Sequence, residues 1–497
     1  MNPTYQAVFD ALPEPKPVWK HFLGMMQVPR ESGHPEQIRA WLLEQARTLG
    51  LQSAVDRVGN VVIRKPATPG LEGRPSICLQ AHMDMVCEKT KESTHNFDTD
   101  ALVPRLLDGN TKLMATNTTL GADNGIGDAM ALAILEDRTI QHGPIECLFT
   151  VDEETTMKGA AEIEAGFLQS HYLINVDSEE DWRICIGCAG GFEAHIRQPL
   201  SWIQAPGARI QLELHKLLAG HSGVEIHKGR ANANKLLCRL LHQGIQSVTP
   251  FALLQSLVGG TKKNVIPGAS KAVIVVPEEH VERVMAALHA KFEQIKTEWK
   301  TAEPEMELAM SVLPERTGFA LCPSSTRKAL DLILAVPHGV LRMSPDVAGL
   351  VESSINAAKV TLAHGHMENH LQIEFFARSS NNNAMPWIYE KLGCIARLAG
   401  AQLSERLHDF PGWLPNMASP LLATAKQVFT EVMKKEPEIY AIHAGLECGM
   451  FQAKYPGMDC ISVGPYMTDV HSPKETLYVN TVPKVYELLV GIIRNVH

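Results

Sequence analysis

Apolar positions along this 497-residue chain follow two alternating patterns. Residues 36–49 repeat apolar side chains at the spacing of an α-helix and end at Gly50, where a helix would stop. Short apolar runs at 61–63 and 77–79, and the mainly apolar segment 145–151, have the length of buried strands. Strands that alternate with helices predict an α/β fold with a largely parallel or mixed sheet.

Acidic and histidine side chains follow several of these apolar runs. The side chains at the ends of predicted strands are His82, Glu153, Glu154 and Asp177. Because strands of an α/β sheet place their carboxyl ends at one edge, these groups are expected to meet there. Asp123, in a glycine-rich turn before a predicted helix at 124–137, and His471, near the carboxyl end, complete the set.

The pattern changes after residue 191. Strand-like runs cover residues 208–217, 271–276, 305–312, 348–362 and 371–377, and helical stretches lie near 231–243, 279–298 and 385–399. The last hundred residues return to the first pattern. We therefore predict a discontinuous catalytic domain, residues 1–191 plus 396–497, with an inserted α/β domain at 192–395.

Composition and charge narrow the class of protein. A length of 497 residues favours two or three domains, and 45% hydrophobic with 20% charged residues is typical of globular proteins. A net charge of −9 gives no general attraction to nucleic acid or to anionic membranes. Residues 1–30 contain no signal-peptide core, no apolar run reaches the length of a membrane span, and ten cysteines form no disulfide framework. A cytoplasmic protein is expected.

The collected side chains predict a centre for two divalent cations, and hence a hydrolase. Imidazole and carboxylate ligands suit zinc, and manganese and cobalt share them. Asp123 has two oxygens and is assigned to both cations, His82 and Asp177 to one, and Glu154 and His471 to the other.

Two further acids complete the predicted chemistry. Asp84, two residues beyond His82, is assigned to fix its imidazole, and Glu153 remains as the general base. Neighbours on an extended segment point in opposite directions, so Glu153 and Glu154 require a bend in the chain.

Each motif has a simpler interpretation when it is taken alone. His82 could be a core histidine, Glu153-Glu154 a solvated pair, and Asp123 a turn residue. The stretch 121–127 lacks the spacing of a nucleotide-binding loop, since Met130 stands where a third glycine would be needed. The histidines at 364, 366 and 370 form a rival metal cluster, which we interpret as a surface hairpin without nearby acids. The case therefore depends on the joint occurrence of the motifs.

The whole set resembles the aminoacyl-histidine dipeptidases, a branch of the dizinc aminoacylase, carboxypeptidase and carnosinase family. The resemblance covers the chain in order and is carried by HMDM at 82–85, TLGADNGIGDA at 119–129, VDEE at 151–154, NVDSEE at 175–180, DVHSP at 469–473, GHSGVEIHKGRANANKL at 220–236 and TKKNVIPG at 261–268. It implies a zinc-peptidase-like catalytic domain, with 192–395 as a lid. It supports the roles given above, and it implies that His221, Asn264 and Arg378 bind the substrate.

The function implied is metal-dependent hydrolysis of dipeptides with free termini, including Xaa-His dipeptides, by a metal-bridging hydroxide with Glu153 as general base. Two zinc ions are the implied cofactors, with manganese or cobalt as alternatives, small peptides are the substrates, and a homodimer is implied. Tripeptidase, aminoacylase and carboxypeptidase activities use the same centre and stay open. A non-catalytic metal-binding scaffold is the alternative from another class, and retention of Glu153 argues against it.

Overall fold

A computed structural model describes residues 2–246, 252–365 and 370–497. The helices, in chain order, are α1 (Pro3–Ala11), α2 (Lys16–Met25), α3 (Glu36–Leu49), α4 (Ala122–Glu136), α5 (Glu153–Thr156), α6 (Lys158–Ala161), α7 (Ala233–Gln246), α8 (Val281–Trp299), α9 (Pro323–Ala335), α10 (Ala384–Ala399), α11 (Pro420–Met433), α12 (Glu447–Lys454) and α13 (Val482–Asn495). None of these helices combines the length and apolar character that crossing a bilayer requires, within the part of the chain described.

The strands are β1 (Gln52–Val55), β2 (Val61–Lys65), β3 (Ile77–His82), β4 (Pro104–Leu107), β5 (Lys112–Ala115), β6 (Ile145–Thr150), β7 (Tyr172–Asn175), β8 (Arg183–Cys188), β9 (Gly190–Pro199), β10 (Trp202–Gln204), β11 (Ala208–His215), β12 (Leu253–Gly259), β13 (Ser270–Val276), β14 (Glu307–Leu313), β15 (Phe319–Leu321), β16 (Gly339–Met343), β17 (Val351–Ala363), β18 (His370–Ser379), β19 (Gln402–Leu403), β20 (Leu407–Phe410), β21 (Glu438–Ile442), β22 (Asp459–Ser462), β23 (Met467–Thr468) and β24 (Thr476–Tyr478).

The chain forms two compact units. The first contains Met1–Gly187, Trp413–Ala441 and Leu446–His497, and the second contains Cys188–Gly412 and Ile442–Gly445. The first unit is thus assembled from three separate segments. The functional division predicted above, a catalytic domain at 1–191 plus 396–497 and a lid at 192–395, stays a prediction.

The main sheet of the first unit places the predicted site at one edge. Strand β3 pairs in parallel with β6 and β7, and β7 pairs in parallel with β22. All six residues of β3 and of β6 are buried, as expected for strands covered on both faces. Because the parallel strands end at the same edge, His82 and the segments after β6 and β7 come together there.

Helix α4 packs closely against this edge because its first turns are made of small residues. A Cβ atom added to Gly127 would lie 2.4 Å from the carbonyl oxygen of Val176, so a larger residue would push the helix away. At this position the absence of a side chain lets the backbone of the helix approach the end of β7 closely. Asp123 and Asn124, at the start of α4, have non-helical backbone angles and are joined by a cis peptide bond.

The second unit is built on a ten-stranded antiparallel sheet. Its main path runs in the order β14, β11, β13, β12, β17, β18, β9, β19, with β16 paired to β17 and β20 to β9. Helices α7, α8, α9 and α10 contribute apolar side chains to a core shared with this sheet. The predicted strand at 371–377 forms the middle of β18, and the predicted strand at 348–362 overlaps β17.

Candidate metal centre

Asp123 lies between two histidines that are 389 positions apart in the chain. Its Oδ1 is 3.0 Å from Nε2 of His82, and its Oδ2 is 3.0 Å from Nε2 of His471. A carboxylate that uses each oxygen toward a different imidazole has the arrangement expected of a ligand shared by two cations. The bridging position predicted for Asp123 is therefore compatible with the geometry.

The two remaining predicted ligands lie on opposite sides of this bridge. Asp177 Oδ1 is 3.5 Å from His82 Nε2, and Glu154 Oε2 is 2.9 Å from His471 Nε2. Ligand atoms of His82, Asp123 and Glu154 all lie within 4.8 Å of one another. Asp177 thus lies beside His82 and Glu154 beside His471, and the assignment of these ligands to two cations stays a prediction.

The expected bend before Glu153 is present. Asp152 adopts a left-handed conformation, with φ of 55°, and the helical turn α5 begins directly after it. Because Glu153 and Glu154 lie in a helical turn, their side chains do not point in opposite directions as they would on a strand. Glu154 therefore reaches His471.

Asp84 connects the end of β3 to the segment that carries the two glutamates. Its carboxylate accepts hydrogen bonds from the backbone N–H groups of Glu153 (3.1 Å) and Glu154 (3.3 Å), and from the hydroxyl of Ser32 (2.7 Å). His82 Nδ1 is 3.5 Å from the Asp84 carboxylate and 3.1 Å from its backbone carbonyl oxygen. Asp84 therefore holds both the imidazole and the predicted base segment.

The centre holds more carboxylates than its two imidazoles can offset. Burial opposes protonation of His82, but Asp177 and Asp123 outweigh it and raise the His82 pKa well above its usual range. Hydrogen bonds to Asp123 and Glu154 raise the pKa of His471 to about 11. Burial raises the pKa of Asp177 to about 6. Groups that compete this strongly for protons favour additional positive charge at the centre.

Burial also raises the pKa of the Glu153 and Glu154 carboxyls, well above the usual range for Glu153. Glu154 Oε1 is buried and has no hydrogen-bond partner among the described residues. An unpartnered buried carboxylate oxygen is costly unless a cation accompanies it. The donor set, its crowding and this oxygen fit a pair of divalent cations.

Glu475 is a structural element of the centre that the sequence motifs did not reveal. This residue is only 2% exposed, and its carboxylate accepts four backbone N–H groups, those of Leu120 (2.7 Å), Gly121 (2.9 Å), Ala122 (2.7 Å) and Asp123 (3.2 Å). Glu475 thereby joins the loop of Asp123 to its own loop, which also carries His471 four residues earlier. A glutamate close behind the DVHSP motif was the available signal.

Glu447 is a second buried acid that was not predicted. Its Oε2 accepts hydrogen bonds from the side chains of Gln80 (2.6 Å) and Thr150 (3.0 Å), near the ends of β3 and β6. Gln80 in turn accepts a hydrogen bond of 2.7 Å from Asn175, at the end of β7. These buried polar groups tie together the strand ends that carry the centre.

In the second unit, His221 and Arg378 lie on either side of Gly223. A Cβ atom added to Gly223 would be 2.9 Å from His221 Cε1 and 3.1 Å from Arg378 Nε. Val265, the residue after Asn264, forms a β-bridge with His221, and the exposed Asn264 accepts the Ser222 N–H through its backbone carbonyl. The three residues predicted to bind substrate are therefore neighbours.

Other histidine-containing clusters are less suited to a cation. His364 stacks on Phe319 with ring centroids 4.1 Å apart and packs edge-on against Trp202, while His366 lies outside the described residues. The predicted hairpin at this rival site is untested.

A group of Glu193, His195 and Glu374 in the second unit is already balanced by charge. Lys263 lies 2.9 Å from Glu193, and Lys359 lies 2.9 Å from Glu374. Each of these two carboxylates therefore already has an ammonium partner.

Comparison with known proteins connects this geometry to an enzyme family. The model of Peptidase family M20/M25/M40 matches residues 78–495. The chain is 38% identical over 487 residues to the cytosol non-specific dipeptidase of Escherichia coli, covering 97% of this chain and 98% of that protein.

Solved structures agree with the sequence match. An aminoacylhistidine dipeptidase from Vibrio alginolyticus superposes with a TM-score of 0.91 at 35% identity over 98% of both chains. An aminopeptidase from Bacillus cereus, 16% identical over 97% of this chain and 98% of that chain, shares the fold with a TM-score of 0.55. With the family model spanning most of its length, this chain belongs to Peptidase family M20/M25/M40.

Proposed function

We propose that the protein is a metal-dependent dipeptidase that hydrolyses dipeptides with free termini, Xaa-His dipeptides among them. The observation that carries this proposal is the position of Asp123, with one oxygen 3.0 Å from each of His82 and His471. Relatives named as a cytosol non-specific dipeptidase and an aminoacylhistidine dipeptidase support the substrate class and a cytosolic location.

The ligands of the proposed centre are His82 and Asp177 for one cation, Glu154 and His471 for the other, and Asp123 for both. Zinc is the cation we propose, and manganese and cobalt accept the same donors. Bound divalent cations would polarise the scissile carbonyl and lower the pKa of a water molecule.

Glu153 is the proposed general base. It takes a proton from the attacking water and delivers it to the leaving amine. Burial raises the pKa of its carboxyl, which makes Glu153 a stronger proton acceptor than an exposed glutamate, and it passes the proton to the amine nitrogen as the C–N bond breaks. Asp84 accepts the 3.1 Å hydrogen bond from the Glu153 backbone N–H, and so fixes the part of the chain from which the Glu153 side chain extends.

His221 is proposed to donate a hydrogen bond to the substrate carbonyl oxygen. Its Nδ1 lies 3.2 Å from the backbone N–H groups of both Gly223 and Val224 and accepts from them. The ring proton of a neutral imidazole must then be on Nε2. Burial and the charge of Arg378 lower the His221 pKa, which keeps the ring neutral and leaves Nε2–H as a donor.

Arg378 is proposed to bind the carboxylate end of the peptide, with Asn264 beside it. Arg378 is 5% exposed, and its Nε is buried without a hydrogen-bond partner. Burial lowers its pKa to about 10, so the guanidinium remains charged at neutral pH. A buried guanidinium that packs on the Phe376 ring but has no carboxylate partner among the described residues is costly, and a substrate carboxylate would remove that cost.

The test is hydrolysis of a free Xaa-His dipeptide, its N-acetylated form and a tripeptide, before and after chelation and after return of zinc. We expect cleavage of the free dipeptide, loss of activity on chelation, and recovery with zinc. Cleavage of the acetylated form at its Xaa–His bond would favour a carboxypeptidase, release of acetate from it an aminoacylase, and cleavage of the tripeptide a tripeptidase. Metal binding without any cleavage would favour a scaffold. Sedimentation of the purified protein tests the proposed homodimer.

A further inference from the structure

Glu179 lies beside the candidate metal centre but has no role in the mechanism above. It follows Asp177 by two residues, and its backbone carbonyl accepts the N–H of Met467 at 3.0 Å. Met467 begins β23, four residues before His471. Glu179 is therefore held between the two loops that carry Asp177 and His471.

The Glu179 side chain is exposed in this position. The charged groups that act on its carboxyl include Asp123, Asp177 and His471 of the centre, besides the adjacent Glu180. No ion-pair or hydrogen-bond partner for its side chain occurs within the described residues. The adjacent Glu180 differs, because it pairs with Arg183 at 2.6 Å.

Three buried carboxylates around the centre are not free in this way. Glu447 and Asp128 are 1% and 0% exposed and cannot meet a solute from solvent. Glu475 is saturated by four backbone N–H groups. Of these acids, only Glu179 is both accessible and without a partner, as far as the described chain extends.

A dipeptide with a free amino end requires such a group. A single carbon atom separates its α-ammonium nitrogen from the scissile carbonyl carbon, so the ammonium must lie next to the centre. Two divalent cations carry a charge of +4, which the three ligand carboxylates and a bridging hydroxide of the proposed centre would offset, so the centre itself would not attract an ammonium group. An additional carboxylate beside the centre would supply that attraction.

We propose that the Glu179 carboxylate binds the α-ammonium group of the substrate and selects peptides with a free amino end. This inference rests on the proposed dipeptidase function. Glu179 would act on binding of the amino group and leave the metals, the base and the carboxylate end unaffected.

The experiment compares two compounds that differ only in the amino group, alanyl-histidine as substrate and propanoyl-histidine as competitive inhibitor. KM and Ki are measured for the metal-loaded wild-type protein, Glu179→Gln and the matched control Glu180→Gln. We expect Glu179→Gln to raise the KM of alanyl-histidine by about tenfold to a hundredfold, the range for a hydrogen bond to a charged group. The Ki of propanoyl-histidine should change less than about twofold in the same variant, because that compound carries no charge for Glu179 to bind.

The outcomes separate this inference from the proposed function. If the wild-type protein does not cleave alanyl-histidine, the proposed function fails, and the inference fails with it. If the wild type cleaves it and Glu179→Gln shifts both constants equally, or neither, only the inference is overturned. An equal effect of Glu180→Gln would also overturn it.

Two additional measurements distinguish a loss of substrate binding from a folding defect of the variant. Glu179→Asp, which keeps the charge, should retain metal content and recover part of the lost affinity. In the unmodified protein, propanoyl-histidine should bind at least about tenfold more weakly than alanyl-histidine, as the loss of one charged hydrogen bond implies. Equal affinities would contradict the proposal without the use of any variant.

Discussion

Replacing Glu475 with glutamine should destabilise the first unit, because one side chain satisfies four backbone donors. Oε2 accepts from Leu120 and Gly121, and Oε1 from Ala122 and Asp123. The glutamine amide retains one accepting oxygen and places an NH2 group, itself a donor, against the other two N–H groups.

The magnitude follows from the number of donors that lose their acceptor. Each unsatisfied buried N–H costs about 1–3 kcal/mol, so two of them cost about 2–6 kcal/mol. The change also disturbs the loop of Asp123, so metal affinity should fall together with stability.

Urea unfolding of the chelated protein, followed by circular dichroism, measures the change in the free energy of unfolding. Glu487→Gln, an exposed substitution of the same type on α13, is the matched control and should change it by less than about 0.5 kcal/mol. A loss below about 1 kcal/mol for Glu475→Gln would refute the reasoning. The four N–H groups would then have another acceptor or would reach water.

Three other changes test separate parts of the structure. Glu153→Ala should abolish turnover and retain both metals by elemental analysis, and wild-type-like activity would remove Glu153 as the base. Arg378→Met should raise KM for a free dipeptide by about tenfold or more with a smaller effect on kcat, since a charged hydrogen bond is lost, and an unchanged KM would place the substrate carboxylate elsewhere. Burial lowers the pKa of His21 from 6.5 to about 4, although Glu136 opposes this shift. Because the unfolded chain then takes up the proton at a higher pH than the folded protein, stability is lost as the pH falls below about 6.5. Between about pH 7 and pH 4 the wild type should lose about 3 kcal/mol more than His21→Gln in urea unfolding, and equal losses would contradict the shift.

The elements that could be predicted from the sequence are those in which the local residue pattern and the tertiary environment favour the same structure. The helix predicted at 36–49 is α3, and Gly50 ends it in the left-handed conformation with φ of 68°. The ligand-bearing strand ends were predictable for a similar reason. A buried apolar run that stops at a histidine or an acid leaves few places for that side chain except the sheet edge.

Other elements required information that no local pattern contains. Helix α9 and strand β12 were missed, and both contribute side chains to the core of the second unit. Glu475 resembles a surface glutamate in sequence, and only the fold brings the backbone of residues 120–123 to it. Glu447 was missed for the same reason, since its partners Gln80 and Thr150 lie about 300 or more positions away.

The position of His471 and Glu475 near the carboxyl end has a consequence during synthesis. A nascent chain that has emerged to residue 465 holds Asp123, Glu154 and Asp177, but lacks the second imidazole and the acceptor for four N–H groups of the Asp123 loop. Such long-range contacts form late and slow the folding of a chain. Metal captured before residues 471–475 have emerged would therefore meet an incomplete set of donors, and the finished centre can form only once they have emerged.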